Sequence, residues 1–143
     1  MRALFMVPLL AATLLASPLA APAQAQHVAS LGLELNALTP SDTGCRVTFL
    51  ATNGLGTELR RAAFEVALFG ASGSIERLVS LDFKTMPDGK TKVLQFDLAE
   101  LGCDGISRVL VNDVAACEGA GLDPKACLAA LTTTSRLSVT FGT

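Results

Sequence analysis

Cys45, Cys103, Cys117 and Cys127 are the side chains best equipped for chemistry, and their spacing decides which chemistry that is. No two of them are spaced CxxC, the arrangement expected of a thioredoxin-like redox site or a zinc knuckle. An even number of cysteines in an exported chain instead points to structural disulfides. Three pairings are open. The local pair Cys117 to Cys127 is the expected one, which leaves Cys45 to join Cys103 across strands.

His27 is the one imidazole in the chain. Blue copper needs two His and a Cys, so that centre is excluded, and a Ser-His-Asp triad would have to recruit His27 from near a chain end. No GxSxG elbow is present. The 13 carboxylates form no obvious pair of the kind a glycosidase uses. With no Trp and no Tyr, the chain also lacks the rings on which sugars stack. The expectation is a non-enzyme with no metal and no cofactor.

The most suggestive polar set is Asn112-Asp113, with Asn36 and Asn53 at other expected strand ends and Arg60-Arg61 beside a Gly-rich connection. These side chains can hydrogen-bond backbone groups where strands stop. They can also form a recognition site among the loops at one end of a sandwich. Asn112 and Asp113 are taken as the candidate binding residues.

The elements that must position these groups read as all-β. Apolar residues alternate in short runs: Leu31, Leu33 and Leu35; then Cys45, Val47, Phe49 and Ala51; then Phe64, Val66 and Leu68. Ile75, Val79, Leu81 and Phe83 share a fourth strand in which Arg77 breaks the alternation. A tight turn at Pro87-Asp88-Gly89-Lys90 leads to a fifth strand with Leu94, Phe96 and Leu98. A sixth spans about Ile106 to Val114, and the seventh uses Leu137, Val139 and Phe141. Before that last strand, Asp123 can cap a short helix that takes Pro124 in its first turn and continues through Leu131. About seven strands at this spacing predict an immunoglobulin/fibronectin-like β-sandwich, with a lipocalin-type barrel as the alternative. The core Trp and corner Tyr of true immunoglobulin domains are absent, so the expectation concerns architecture and not ancestry.

Residues 1–25 read as a signal peptide. Arg2 precedes an apolar run from Ala3 to Leu15 that is too short for a membrane span, and Ala23-Gln24-Ala25 offers small residues for cleavage. Ala21-Pro22-Ala23 is a second candidate site. Residues 26–143 then form one domain, with no transmembrane anchor after cleavage and a periplasmic address. The chain carries 11 basic and 13 acidic residues, so there is no basic field to attract nucleic acid.

Leu33-Glu34-Leu35-Asn36, Cys45-Arg46, Asn53, Leu68-Phe69 with Gly73 and Phe96-Asp97-Leu98 form part of a longer pattern. It continues through Cys103, Leu110-Val111-Asn112-Asp113-Val114, Cys117 and Cys127-Leu128. The whole resembles a family of small exported proteins of alphaproteobacteria, some carrying names that mention a Tat signal. The resemblance implies a bacterial periplasmic home and brings no activity, substrate or site residues. Arg2 stands alone, so this chain lacks the Arg pair of a Tat signal.

The functional expectation is a non-enzymatic binding, accessory or structural module of the cell envelope, partnered by another envelope protein. The alternative is a small-ligand carrier with its pocket between the sheets or under the 117–127 loop. An enzyme of unrecognised type is the third reading.

Overall fold

The computed structural model describes residues 27–143, so the expected signal peptide lies outside the described residues. Eight strands, β1 (Ser30–Ser41), β2 (Gly44–Gly54), β3 (Leu59–Phe69), β4 (Ile75–Met86), β5 (Thr91–Ala99), β6 (Arg108–Gly119), β7 (Leu131–Ser135) and β8 (Thr140–Gly142), make up the described fold with one α-helix, α1 (Pro124–Ala130). A 3-10 turn covers Cys103–Gly105. The strands form two four-stranded sheets, β5-β2-β1-β7 (sheet A) and β4-β3-β6-β8 (sheet B). Their apolar faces meet in a sandwich, as alternating patterns on every strand require.

The inward residues of β2 show how sequence becomes core. Cys45, Val47, Phe49, Ala51 and Asn53 are all at most 1% exposed, while Arg46 and Thr52 point to solvent. Phe49 is surrounded by Phe83, Phe96 and Phe141, with ring centroids 5.5 to 6.1 Å away. Phe64 and Phe96 approach Phe83 in turn at 5.1 and 5.2 Å. These tilted and edge-on contacts fill the space between the sheets and add to the stabilisation from apolar burial.

Both expected disulfides are present, Cys45–Cys103 and Cys117–Cys127. They fit an oxidising compartment outside the cytosol. Among the described residues no helix is long and apolar enough to cross a membrane.

The end of the chain differs from the expectation. Of the anticipated seventh strand over Leu137, Val139 and Phe141 only Thr140–Gly142 forms, as β8 in sheet B; Leu137 and Val139 lie in a bend, and an unforeseen strand, β7, precedes them in sheet A. Helix α1 forms as foreseen, with Asp123 Oδ1 accepting the Ala126 N–H at 2.8 Å and Pro124 in the first turn. The Cys117–Cys127 bond ties this helix to the end of β6, and the chain leaves it beside the start of β1, where Leu131 is level with Leu31. Strand β7 therefore runs parallel to β1, and β8, after a bend at 136–139, parallel to β6. The helix carries the chain from the end of β6 in sheet B across to sheet A before β8 returns to sheet B. Strand β6 also runs further than anticipated, to Gly119. Ile75, assigned to the core face, is 61% exposed at the tip of β4.

Candidate functional site

The polar residues singled out in the sequence go to three separate places. Asn53 is fully buried between the sheets. Its Nδ2 donates to the Thr57 and Met86 carbonyls, both at 2.8 Å, and its Oδ1 accepts the Leu55 N–H at 3.0 Å. Its backbone pairs with the β4–β5 turn through Lys90 O and the Gly89 N–H. Asn53 is thus a structural hub that locks the β2–β3 loop to that turn. Asn36 sits at a bulge in β1 and donates to Glu34 Oε1 at 2.9 Å.

Asn112 and Asp113 lie on the outer face of sheet B, within β6 and away from the loop end where they were expected. Val66 is level with Val111 and Glu65 with Asp113, so Asn112 is the extra residue of a bulge. The bulge resets the alternation, which lets Val111 and Val114 both face the core while Asn112 and Asp113 are both exposed. Asn112 Nδ2 donates to Glu65 Oε1, and Asp113 Oδ1 accepts the Val114 N–H at 2.8 Å. Local hydrogen bonding accounts for both side chains.

Arg61 on the same face pairs with Asp82 at 3.2 Å and lies 3.7 Å from Glu118, while Arg60 is exposed. The Lys84 backbone N–H, then the Lys84 and Arg61 side chains, hold the Asp82 carboxyl below its ordinary value. On sheet B, Arg61, Asp82, Lys84 and Glu118 are thus paired with one another, while Glu65 is bonded to the neutral Asn112 amide. His27 is exposed at the start of the described residues. Among those residues no three His, Cys, Asp and Glu side chains converge as metal ligands.

The outer face of sheet A carries a different arrangement, which the sequence reading missed. Thr91, Thr52, Gly32 and Thr132 stand level with one another across β5, β2, β1 and β7. The next row holds Val93, Leu50, Glu34 and Thr134. Gly32 has no side chain to match its neighbours, so an open groove of about 190 Å³ lies over it, lined by Glu34, Leu50, Thr52, Thr91, Thr132 and Thr134. A Cβ at Gly32 would meet only ordinary contacts, 3.6 Å from Thr132 Oγ1 and 3.8 Å from Thr52 Cβ. The groove therefore reflects a missing side chain and not a crowded backbone.

Glu34 is the one ionisable group lining the groove. It is half-buried, its hydrogen-bond partner is the neutral Asn36 amide, and among the described residues no Lys or Arg pairs with it. Further along the same face, Arg46 grips Asp97 through Nε at 2.8 Å and a second nitrogen at 3.2 Å. That contact holds the Asp97 carboxyl below its ordinary value. A signal for the groove did exist in Thr132-Thr133-Thr134, a β-branched run directly after the helix. Its place beside Gly32 depends on the parallel β1–β7 pairing, which no local pattern specifies.

Comparison with known family models, with curated proteins and with solved structures returns no match to this chain. The resemblance to small exported proteins therefore rests on the residues quoted for it.

Proposed function

We propose that this chain is a non-enzymatic binding module of the bacterial cell envelope, exported to the periplasm, which engages another envelope protein through the outer face of sheet A. The observation that carries this reading is the groove over Gly32, an open, hydroxyl-lined recess with a half-buried carboxylate that has no cationic partner among the described residues. The groove has no nucleophile held by a base, so its lining suits recognition by hydrogen bonds and charge. The two disulfides support an extracytoplasmic address. The carrier alternative draws no support from the space between the sheets, which the Phe49, Phe64, Phe83, Phe96 and Phe141 rings occupy.

A photoreactive side chain placed at Thr132 and, separately, at Asn112 tests the choice of face in the native host. The expected result is a discrete adduct from Thr132 that disappears when Gly32→Val fills the groove, with none from Asn112. Adducts from Asn112 alone, or from neither position, would overturn the reading.

A further inference from the structure

We infer that the sheet A site takes an extended polypeptide strand, added antiparallel or parallel along β7, that projects a Lys or Arg side chain into the groove toward Glu34. This rests on the reading of sheet A as the binding face and names what it binds.

Three independent features converge on it. The first is the condition of the sheet edges. An outer strand offers unpaired N–H and C=O groups to any incoming strand, and proteins blunt such edges with charge, bulges or short length. Strand β4 carries Arg77 and a bulge at Phe83, followed by Lys84 at φ 61°. Strand β5 is laced to β4: Lys92 Nζ donates to Thr85 O at 2.6 Å, and the Arg77 guanidinium donates to Ala99 O at 2.6 Å. Strand β8 is three residues long. Strand β7, with sequence Leu-Thr-Thr-Thr-Ser, has no charge, no proline and no bulge in its pairing.

The second feature is the direction of the peptide groups on β7. The Arg136 N–H donates to Leu35 O at 3.0 Å. The two-residue alternation of a parallel ladder then directs the peptide groups of Thr132 and Thr134 toward β1 and those of Leu131, Thr133 and Ser135 away from it. Strand addition to such an edge obtains affinity from main-chain hydrogen bonds and specificity from pockets for alternate side chains.

The third feature is such a pocket in the right place. Thr132 and Thr134 face the groove, and Thr134 is level with Glu34 one strand further in. A strand beside β7 would lie about 10 Å from β1, two interstrand spacings, which a long cationic side chain can bridge to a carboxylate. Its methylenes would lie over the Thr132 and Thr134 methyls while its charge reaches Glu34. Asp97, Asp82 and Glu118 take their cations from this chain's own Arg46, Arg61 and Lys84. Glu34 and, on sheet B, Glu65 hold only a neutral Asn amide, and of the two it is Glu34 that lines the groove beside the uncharged edge strand β7.

The probe is the capped peptide Thr-Val-Thr-Lys-Thr-Val-Thr, titrated into the disulfide-intact protein with its central residue as Lys, norleucine or Glu. Affinity is read by calorimetry, and amide protection of Thr133 and Ser135 by NMR. The expected result is that the Lys peptide binds at least tenfold more tightly than the norleucine and Glu versions and protects both amides. Glu34→Gln should remove that preference. Thr134→Lys, which places an internal cation beside Glu34, should weaken binding at least tenfold, and circular dichroism checks that both variants are folded. Equal binding of the three peptides, or a Lys preference that survives Glu34→Gln, overturns the cation pocket. Binding without protection of the β7 amides overturns strand addition. If the Thr132 adduct forms in cells while every peptide fails to bind, sheet A remains the binding face and the basic-strand inference falls alone.

Discussion

Strand β2 is tied at both ends by residues on the same inward face, and the two ties work by different physics. At one end Cys45 is bonded covalently to Cys103, 58 positions away in sequence. At the other, Asn53 makes three side-chain hydrogen bonds that join the β2–β3 loop to Met86 at the end of β4. The covalent tie acts mainly by restricting the unfolded chain, so its strength grows with the loop it closes. The amide tie acts only in the folded state, because it matches buried groups that water can no longer reach. Asn112 supplies the contrast, the same side chain exposed on a sheet face, where its bond to Glu65 competes with water.

The widest separation between these ties should appear on removing the covalent one. Replacing Cys45 and Cys103 together by Ala should lower stability by about 4 kcal/mol on loop-closure grounds, measured by urea unfolding under non-reducing conditions. A loss under about 1 kcal/mol would show that the unfolded chain already holds these segments together. Asn53→Ala comes next, at about 3 kcal/mol, since it strands the Thr57 and Met86 carbonyls and the Leu55 N–H in a buried site. The loss should be of similar size with and without Cys45–Cys103, because the two ties stand at opposite ends of β2.

The position of Asn53 was partly legible. It continues the period-two series Cys45, Val47, Phe49 and Ala51, so the same alternation that assigned the core also places this amide inside. What it would bond to was not legible, because Met86 lies 33 positions away on another strand. Asn112 failed for the opposite reason. The sixth strand was ended at about Val114, short of Gly119, which put the pair at a loop end instead of within a sheet face, and the bulge that turns both side chains outward is not announced by the sequence.

A smaller effect sharpens the contrast between ties that titrate and ties that do not. The Asp82 carboxyl lies below its ordinary value of 3.8, so it contributes stability above that pH and loses it as pH falls through its lower folded value. Asp82→Asn should therefore flatten the acid side of the stability profile below about pH 4 and leave the Asn53 contribution unchanged. Urea midpoints between pH 2 and 7 would check this, and an unaltered acid limb would assign that region to other carboxylates. The smallest change is expected for Asn112→Ala, within about 0.5 kcal/mol, as for most exposed substitutions. A loss comparable to that of Asn53→Ala would mean that the bulge, and not burial, is what the amide secures.

The sequence by itself determined the all-β class, the inward face of the strands that alternate cleanly and the capped helix at Asp123, and it favoured the local cysteine pair among three open pairings. Each follows from residues close in sequence, the favoured cysteine pair included. Only the tertiary structure decided that the end of the chain is divided between the sheets and that Thr132 and Thr134 stand beside Gly32 and Glu34. Local patterns encode which way a side chain points relative to its own strand, whereas the neighbour of that strand is set by where the chain can return. Here the return is governed by a seven-residue helix bonded through Cys127 to the end of β6, about 100 positions from the β1 residues it brings into register.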